Sequence, residues 1–254
     1  MKTKIAIAAG MLVASTMAGS AADMAVKARP MVAPVAWSWT GFYFGAHVGA
    51  GWGTTESTLT AINITPVPPG GTIPLNFPLS QNSRSGFLGG VQAGYNFQSG
   101  WAVFGVQGDI AATDIKGTTP CLIGILSCTS ETNWLATVSG RLGAVVLDRG
   151  LVYVKGGGAW MNTDHRVNLP IVANTQLTSA SSDTFGWLIG FGTEWMITPN
   201  WTAFVEYNYI DFDKKNERFP LAIPGIAPIA ISANADLTNK LSIAKVGVNY
   251  KFNW

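Results

Sequence analysis

Eight stretches of the chain alternate apolar residues with polar or small ones at a period of two. That is the pattern of strands with one face toward lipid and the other toward a crowded interior. In residues 41–53 the even positions are Phe42, Phe44, Ala46, Val48, Ala50 and Trp52, and the odd ones are Tyr43, Gly45, His47, Gly49 and Gly51. The second stretch, 87–97, turns Phe87, Val91, Ala93, Tyr95 and Phe97 outward and Gln92, Gly94 and Asn96 inward. In 101–113 Phe104, Val106 and Ile110 face out while Gln107 and Asp109 face in. In 132–146 Trp134, Val138 and Leu142 oppose Thr137, Ser139 and Arg141. Residues 151–161 set Val152, Val154 and Trp160 against Lys155, with a Gly156-Gly157-Gly158 run that weakens the strand. In 184–196 Phe185, Trp187, Ile189, Phe191 and Trp195 oppose Glu194, and in 201–212 Val205, Tyr207 and Tyr209 oppose Glu206 and Asn208. The last stretch, 241–254, turns out Ala244, Val246, Val248, Tyr250, Phe252 and Trp254 and turns in Lys245, Asn249 and Lys251.

Proline tests this segmentation independently, because it cannot donate to a ladder and avoids strand interiors. None of the 13 prolines falls inside the eight stretches. The connections alternate short turns (98–100, 147–150, 197–200) with long loops (54–83, 114–131, 162–183, 213–239). Outer-membrane barrels keep short turns in the periplasm and long loops outside. The expected fold is therefore all-β, an eight-stranded antiparallel up-and-down transmembrane barrel. With this sidedness Trp39, Trp101, Trp195, Trp201 and Trp254 fall at the periplasmic rim, and Trp52, Trp134, Trp160 and Trp187 at the outer rim, the belts that Trp prefers.

Composition agrees. Of 254 residues 48% are hydrophobic and only 12% charged, about half the charge of ordinary soluble chains. Beyond the N-terminus no apolar run reaches the ~18 residues of a membrane helix. The net charge of +2 forms no basic stripe and argues against nucleic-acid binding. At the start, Lys2 and Lys4 precede a short apolar run and the small residues Ala18-Gly19-Ser20-Ala21-Ala22. This reads as a signal peptide over 1–21, cleaved after Ala21 or Ala22. A flexible periplasmic leader over 22–38 follows, then the barrel over 39–254. The leader is too short for a peptidoglycan-binding domain, and nothing follows Trp254.

The stretch Trp39-Thr40-Gly41-Phe42-Tyr43-Phe44-Gly45 resembles the first strand of the small eight-stranded outer-membrane barrels of Gram-negative bacteria, the porin-family or OmpA-like surface antigens. Thr198-Pro199-Asn200-Trp201, Glu206-Tyr207 and Val246-Gly247-Val248-Asn249-Tyr250-Lys251-Phe252 carry the same likeness. The resemblance implies residence in the cell outer membrane, among its lipids and lipopolysaccharide. It also implies that the aromatic C-terminus (Tyr250, Phe252, Trp254) is read by the assembly machinery, and it brings in haem as a ligand of some relatives.

Eight strands leave an interior that side chains can fill. Inward Asp109, Glu194 and Glu206 nearly balance Arg141, Lys155, Lys245 and Lys251, which points to an internal ion-pair network and a plugged lumen. The alternative is a narrow ion pathway along those charges. Function then moves to the loops, three of which carry apolar runs: Ile64 to Pro69 with Ile73-Pro74-Leu75, Leu122 to Leu126, and Leu221 to Ile229. Mutual packing as a cap is the plainer reading; a site for a hydrophobic ligand such as haem, or for a host surface, is the sharper one. His165 is the one loop histidine. Cys121 and Cys128 lie seven apart in the second outer loop, where export permits a disulfide. They lack the second ligand pair of a zinc site, so no metal or cofactor is expected. An enzyme is the rival class: Asp164-His165 with Ser179 to Ser182 would supply an acid, a base and a nucleophile, but no G-x-S-x-G motif is present. The expected role is a non-enzymatic envelope protein that supports membrane integrity and displays surface loops.

Overall fold

The computed structural model describes residues 37–65, 71–121, 126–169, 175–221 and 230–252. The signal segment, the leader up to residue 36, the apolar runs at 66–69, 122–125 and 222–229, and Trp254 lie outside the described residues. Eight antiparallel strands close into a barrel: β1 (Gly41–Thr65), β2 (Gly71–Ser99), β3 (Ala102–Cys121), β4 (Leu126–Val146), β5 (Gly150–Leu169), β6 (Thr175–Met196), β7 (Trp201–Leu221) and β8 (Ala230–Lys251). β1 pairs with β8 from Tyr43↔Lys251 upward, which removes the free edges that an open sheet would leave in lipid. The outward set expected from parity lines the lipid-facing wall: Phe87, Trp101, Val106, Val138, Phe191 and Val205 are all exposed.

The strands run far beyond the eight expected stretches. The segments read as long loops are largely ladder: β1 extends to Thr65 and β2 begins at Gly71. About 9–11 residues cross the hydrocarbon, so the 20 to 29 residues of each strand leave a long extension outside it. These extensions belong to two groups. β7, β8, β1 and β2 stay paired up to Leu221↔Ile231, Thr65↔Ala230 and Ile64↔Gly71. β3, β4, β5 and β6 stay paired up to Cys121↔Leu126, Ser127↔Asn168 and Leu169↔Thr175. Between the groups the ladder stops early, at Ser85↔Lys116 and at Gly186↔Phe212.

Proline fits this division rather than the earlier rule. Pro74 and Pro78 lie inside β2, Pro120 inside β3 and Pro220 inside β7. Each lies where its strand is paired on one side only, so a missing N–H costs no ladder bond on the open side. The short turns are where parity put them. In the turn between β4 and β5, Leu147 and Asp148 take φ of 50° and 60°. This left-handed pair matches the twist of a tight hairpin.

Candidate functional site: a layered lumen and its outer rim

Inward side chains form four layers, because each strand changes character at the same depth. The lowest is apolar: Trp39, Val103, Leu151, Tyr153 and Met196, with Trp37 and Val145 against them. Trp39 is only 1% exposed. It plugs the periplasmic end from inside instead of joining the lipid-facing belt, since it precedes β1 and the chain folds back under the barrel there. Its backbone N–H donates to Gln98 Oε1 at 2.7 Å, which secures that return. Trp101, Trp195 and Trp201 are exposed at that rim, and Trp52, Trp134, Trp160 and Trp187 at the other.

The second layer holds the charges. Glu206 stands 2.7 Å from Lys155 Nζ and 3.2 Å from Lys245 Nζ, and accepts from Tyr153 Oη at 2.8 Å. Lys245 reaches on to Asp109 at 2.7 Å, and His47 Nε2 stands 2.7 Å from the same carboxylate oxygen. Arg141 pairs with Glu194 at 3.0 Å and lies between the rings of Tyr43 and Tyr153, 5.0 and 4.8 Å from their centroids. Glu194 also accepts from Thr202 and Asn249. Tyr43, Gln107, Gln92 and Asn249 continue the network as a chain of hydrogen bonds. Every one of these groups is buried. Buried charges are tolerable only when paired, and here Asp109, Glu194 and Glu206 each meet a cation, while His47 Nδ1 makes no hydrogen bond among the described residues. Glycines make the room: a Cβ on Gly94 would come within 2.4 Å of Tyr43 Oη, and one on Gly192 within 2.7 Å of the Tyr153 ring. Lys251 stands apart from the ion pairs. Its Nζ donates to the Ser38 carbonyl and so ties β8 to the segment beneath the barrel.

The third layer is apolar again: Leu88, Ala111, Ile115, Leu135, Ala159, Met161, Leu188, Ile210, Phe212, Leu241 and Ile243, each at most 5% exposed. Period-two reading missed it because both faces of the strands are apolar at this depth, as in Trp187-Leu188-Ile189. The signal was present as runs of consecutive apolar residues. Above it comes a fourth, polar layer, with Arg84, Thr132, Thr163, Thr55 and Asn239 buried. Arg84 escaped sequence reading because β2 was expected to begin only at 87. In β4 a bulge between Thr132 and Trp134 switches the inward residues from odd to even.

Outside the membrane the remaining candidates separate. Asp164 accepts from Asn133 Nδ2 at 3.1 Å and lies 3.9 Å from Arg166. Its register partner is Ser181, whereas His165 pairs with Ala180. The His165 side chain lies outside the described residues. Lys116 bridges Asp114 at 2.6 Å and Glu131 at 2.9 Å, and the hydrogen bonds its ammonium donates to both carboxylates hold it above the usual lysine range. Cys128 is disulfide-bonded, and Cys121 is the chain's one other cysteine. Ile73, Leu75 and Phe77 are exposed on the outer part of β2; the other apolar runs expected to form a cap lie largely outside the described residues. Near the strand tips Asn63, Thr72, Arg218 and Asn234 line an open hollow of about 350 Å³.

The architecture has counterparts among known proteins. The 31 kDa outer-membrane immunogenic protein of Brucella melitensis is 31% identical over 259 residues, covering 98% of each chain. The 25 kDa outer-membrane immunogenic protein of Brucella canis is 27% identical over 258 residues, covering 99% of each. The crystal structure of the outer membrane protein OprG from Pseudomonas aeruginosa superposes with a TM-score of 0.51 over 86% of this chain and 99% of that one, at 11% identity. The family model described as the outer membrane protein beta-barrel domain matches residues 7–252. The chain is thus an outer-membrane protein of Gram-negative type, and it belongs to the outer membrane protein beta-barrel domain family.

Proposed function

We propose that this protein is a non-enzymatic structural component of the outer membrane, which supports envelope integrity and carries a surface-displayed strand crown. One observation carries the reading: two apolar layers close the lumen on either side of a buried ion-pair layer. A continuous water file along the inward charges has to cross both. The lumen is accordingly a packed interior rather than a pore, and its apolar rings and ion pairs serve the rigidity of the wall. The names of the Brucella relatives, immunogenic outer-membrane proteins, fit a molecule whose outer extensions reach the medium. Partners of the wall are membrane lipids and lipopolysaccharide. The aromatic C-terminal side chains, with Tyr250 stacked edge-on against Phe252 at 5.1 Å, offer the assembly machinery its signal together with Trp254.

The test has two arms. Reconstituted protein in planar bilayers is expected to give no stable nanosiemens steps; such steps would reverse the reading. A strain lacking the protein is expected to take up a hydrophobic dye faster and to tolerate detergent less well than its parent, with both restored by the gene in trans. A second role rests on Ile73, Leu75 and Phe77, exposed together: the outer part of β2 docks an apolar ligand, haem included, or a host surface. Haem binding unchanged in both an Ile73→Ser/Phe77→Ser variant and a His165→Ala variant would remove that role.

A further inference from the structure

Arg84 is a buried cation with no carboxylate partner among the described residues. The residue is 2% exposed. Its Nη1 donates to Thr132 Oγ1 at 3.1 Å, and its Nη2 donates to Asn239 Oδ1 at 3.1 Å and lies 3.9 Å from Met161 Sδ. Its Nε has no hydrogen-bond partner among the described residues. All of these partners are neutral. The interior carboxylates lie beneath the apolar layer and are already engaged: Asp109 with Lys245, Glu194 with Arg141, Glu206 with Lys155. Asp114 and Glu131, on the neighbouring strands, pair with Lys116 and Arg166 on the outer wall. A guanidinium does not shed its proton, and a desolvated charge without a counter-ion is heavily penalised. The remainder of the layer is built from reorientable dipoles. Thr132 and Thr163 share their hydroxyls at 3.4 Å, and Thr55 donates to Asn239 Oδ1 at 2.7 Å. A hydroxyl can turn its proton toward an anion without moving its oxygen.

We propose that Arg84 is the centre of a binding site for a small inorganic anion of chloride size, seated in the outer mouth of the barrel directly above the apolar layer. The unpartnered Nε–H is the fixed donor, on the guanidinium edge away from the Nη1–Thr132 bond. Enclosure selects size: Asn82, Ser130 and Leu237 are buried on the outward side of Arg84, so the site takes a halide and excludes a phosphate monoester or an organic carboxylate. The anion stabilises the folded barrel by mass action and neutralises a buried charge that meets no carboxylate among the described residues.

Bromide serves as the probe. Crystals of the wild-type barrel grown in bromide are expected to show an anomalous peak at hydrogen-bond distance from Arg84 Nε; peaks confined to the outer surface would overturn the assignment. In parallel, the temperature at which the folded band is lost on gels is measured in chloride and in gluconate at equal ionic strength. Chloride is expected to raise the wild-type midpoint by about 3–5 °C, with a smaller rise in Arg84→Lys and none in Arg84→Met. If Arg84 were only a strut, Arg84→Met would lower the midpoint equally in both salts and the wild type would not distinguish them. That result refutes the site. Should Arg84→Met fail to fold, the bromide map and the wild-type salt comparison still decide.

Discussion

Glu206 shows how much a single buried group can carry. Two ammonium groups, a phenol and an amide converge on its carboxylate, and none of them has water to fall back on. Glu206→Gln is expected to leave Lys155 without its ion pair and to cost about 3–5 kcal/mol, measured by urea unfolding in vesicles. A Lys155→Met/Glu206→Met double substitution restores neutrality while Lys245 keeps Asp109, so it is expected to be milder than Glu206→Gln alone. A double substitution that costs more than the single one would show that hydrogen bonding, not charge balance, dominates there. Lys116 is the opposite case. Its ammonium is held by Asp114 and Glu131 on an exposed face. Because its folded pKa is raised, its contribution is present below the ordinary lysine titration and is lost as pH rises through the raised value. Salt screens it throughout.

Among the elements, the tight turns and the strand extensions are governed by different rules. Leu147 and Asp148 take left-handed backbone angles that Asn and Gly adopt with less strain. Leu147→Asn/Asp148→Gly is expected to stabilise the barrel by about 0.5–1 kcal/mol, seen as a higher unfolding midpoint; a neutral or negative change would mean that Leu147 packs in a way its 81% exposure conceals. The outer part of β2 pairs with β1 and, beyond Ser85, not with β3. Pro74 and Pro78 interrupt that free edge, a known guard against edge-to-edge association. Pro74→Val/Pro78→Val is therefore expected to increase cross-linked dimers and aggregates in detergent, while the wild type stays monomeric under the same conditions.

For the whole molecule, the sequence of layers matters more than any one contact. Apolar, charged, apolar and polar rings follow one another from periplasm to exterior, so the interior resembles a folded core threaded through a membrane wall. Opening it takes removal of a ring. A Met161→Gly/Leu188→Gly/Phe212→Ala variant, if it retains heat-modifiable migration, is expected to admit small ions in planar bilayers where the wild type does not. A closed variant would place the barrier in the ion-pair layer instead.

Much of this barrel was legible from the chain alone. Strand number, the outward face, the short turns and the inward charges follow from alternation, because a lipid-facing wall forces every second residue to be apolar. Phe42 to Trp52 and Tyr250 to Phe252 needed no fold to be placed. The apolar third layer, the inward turn of Trp39 and the buried position of Arg84 belong to the tertiary structure. Where both faces of a strand are apolar, period two carries no information, and a residue outside the regular stretches has no parity at all. The reach of the strands beyond the membrane was also undecided by pattern, since above the lipid nothing requires a hydrophobic face. There it is backbone pairing with a neighbour, a partner as distant in sequence as Ala230 is from Thr65, that settles which segments become ladder.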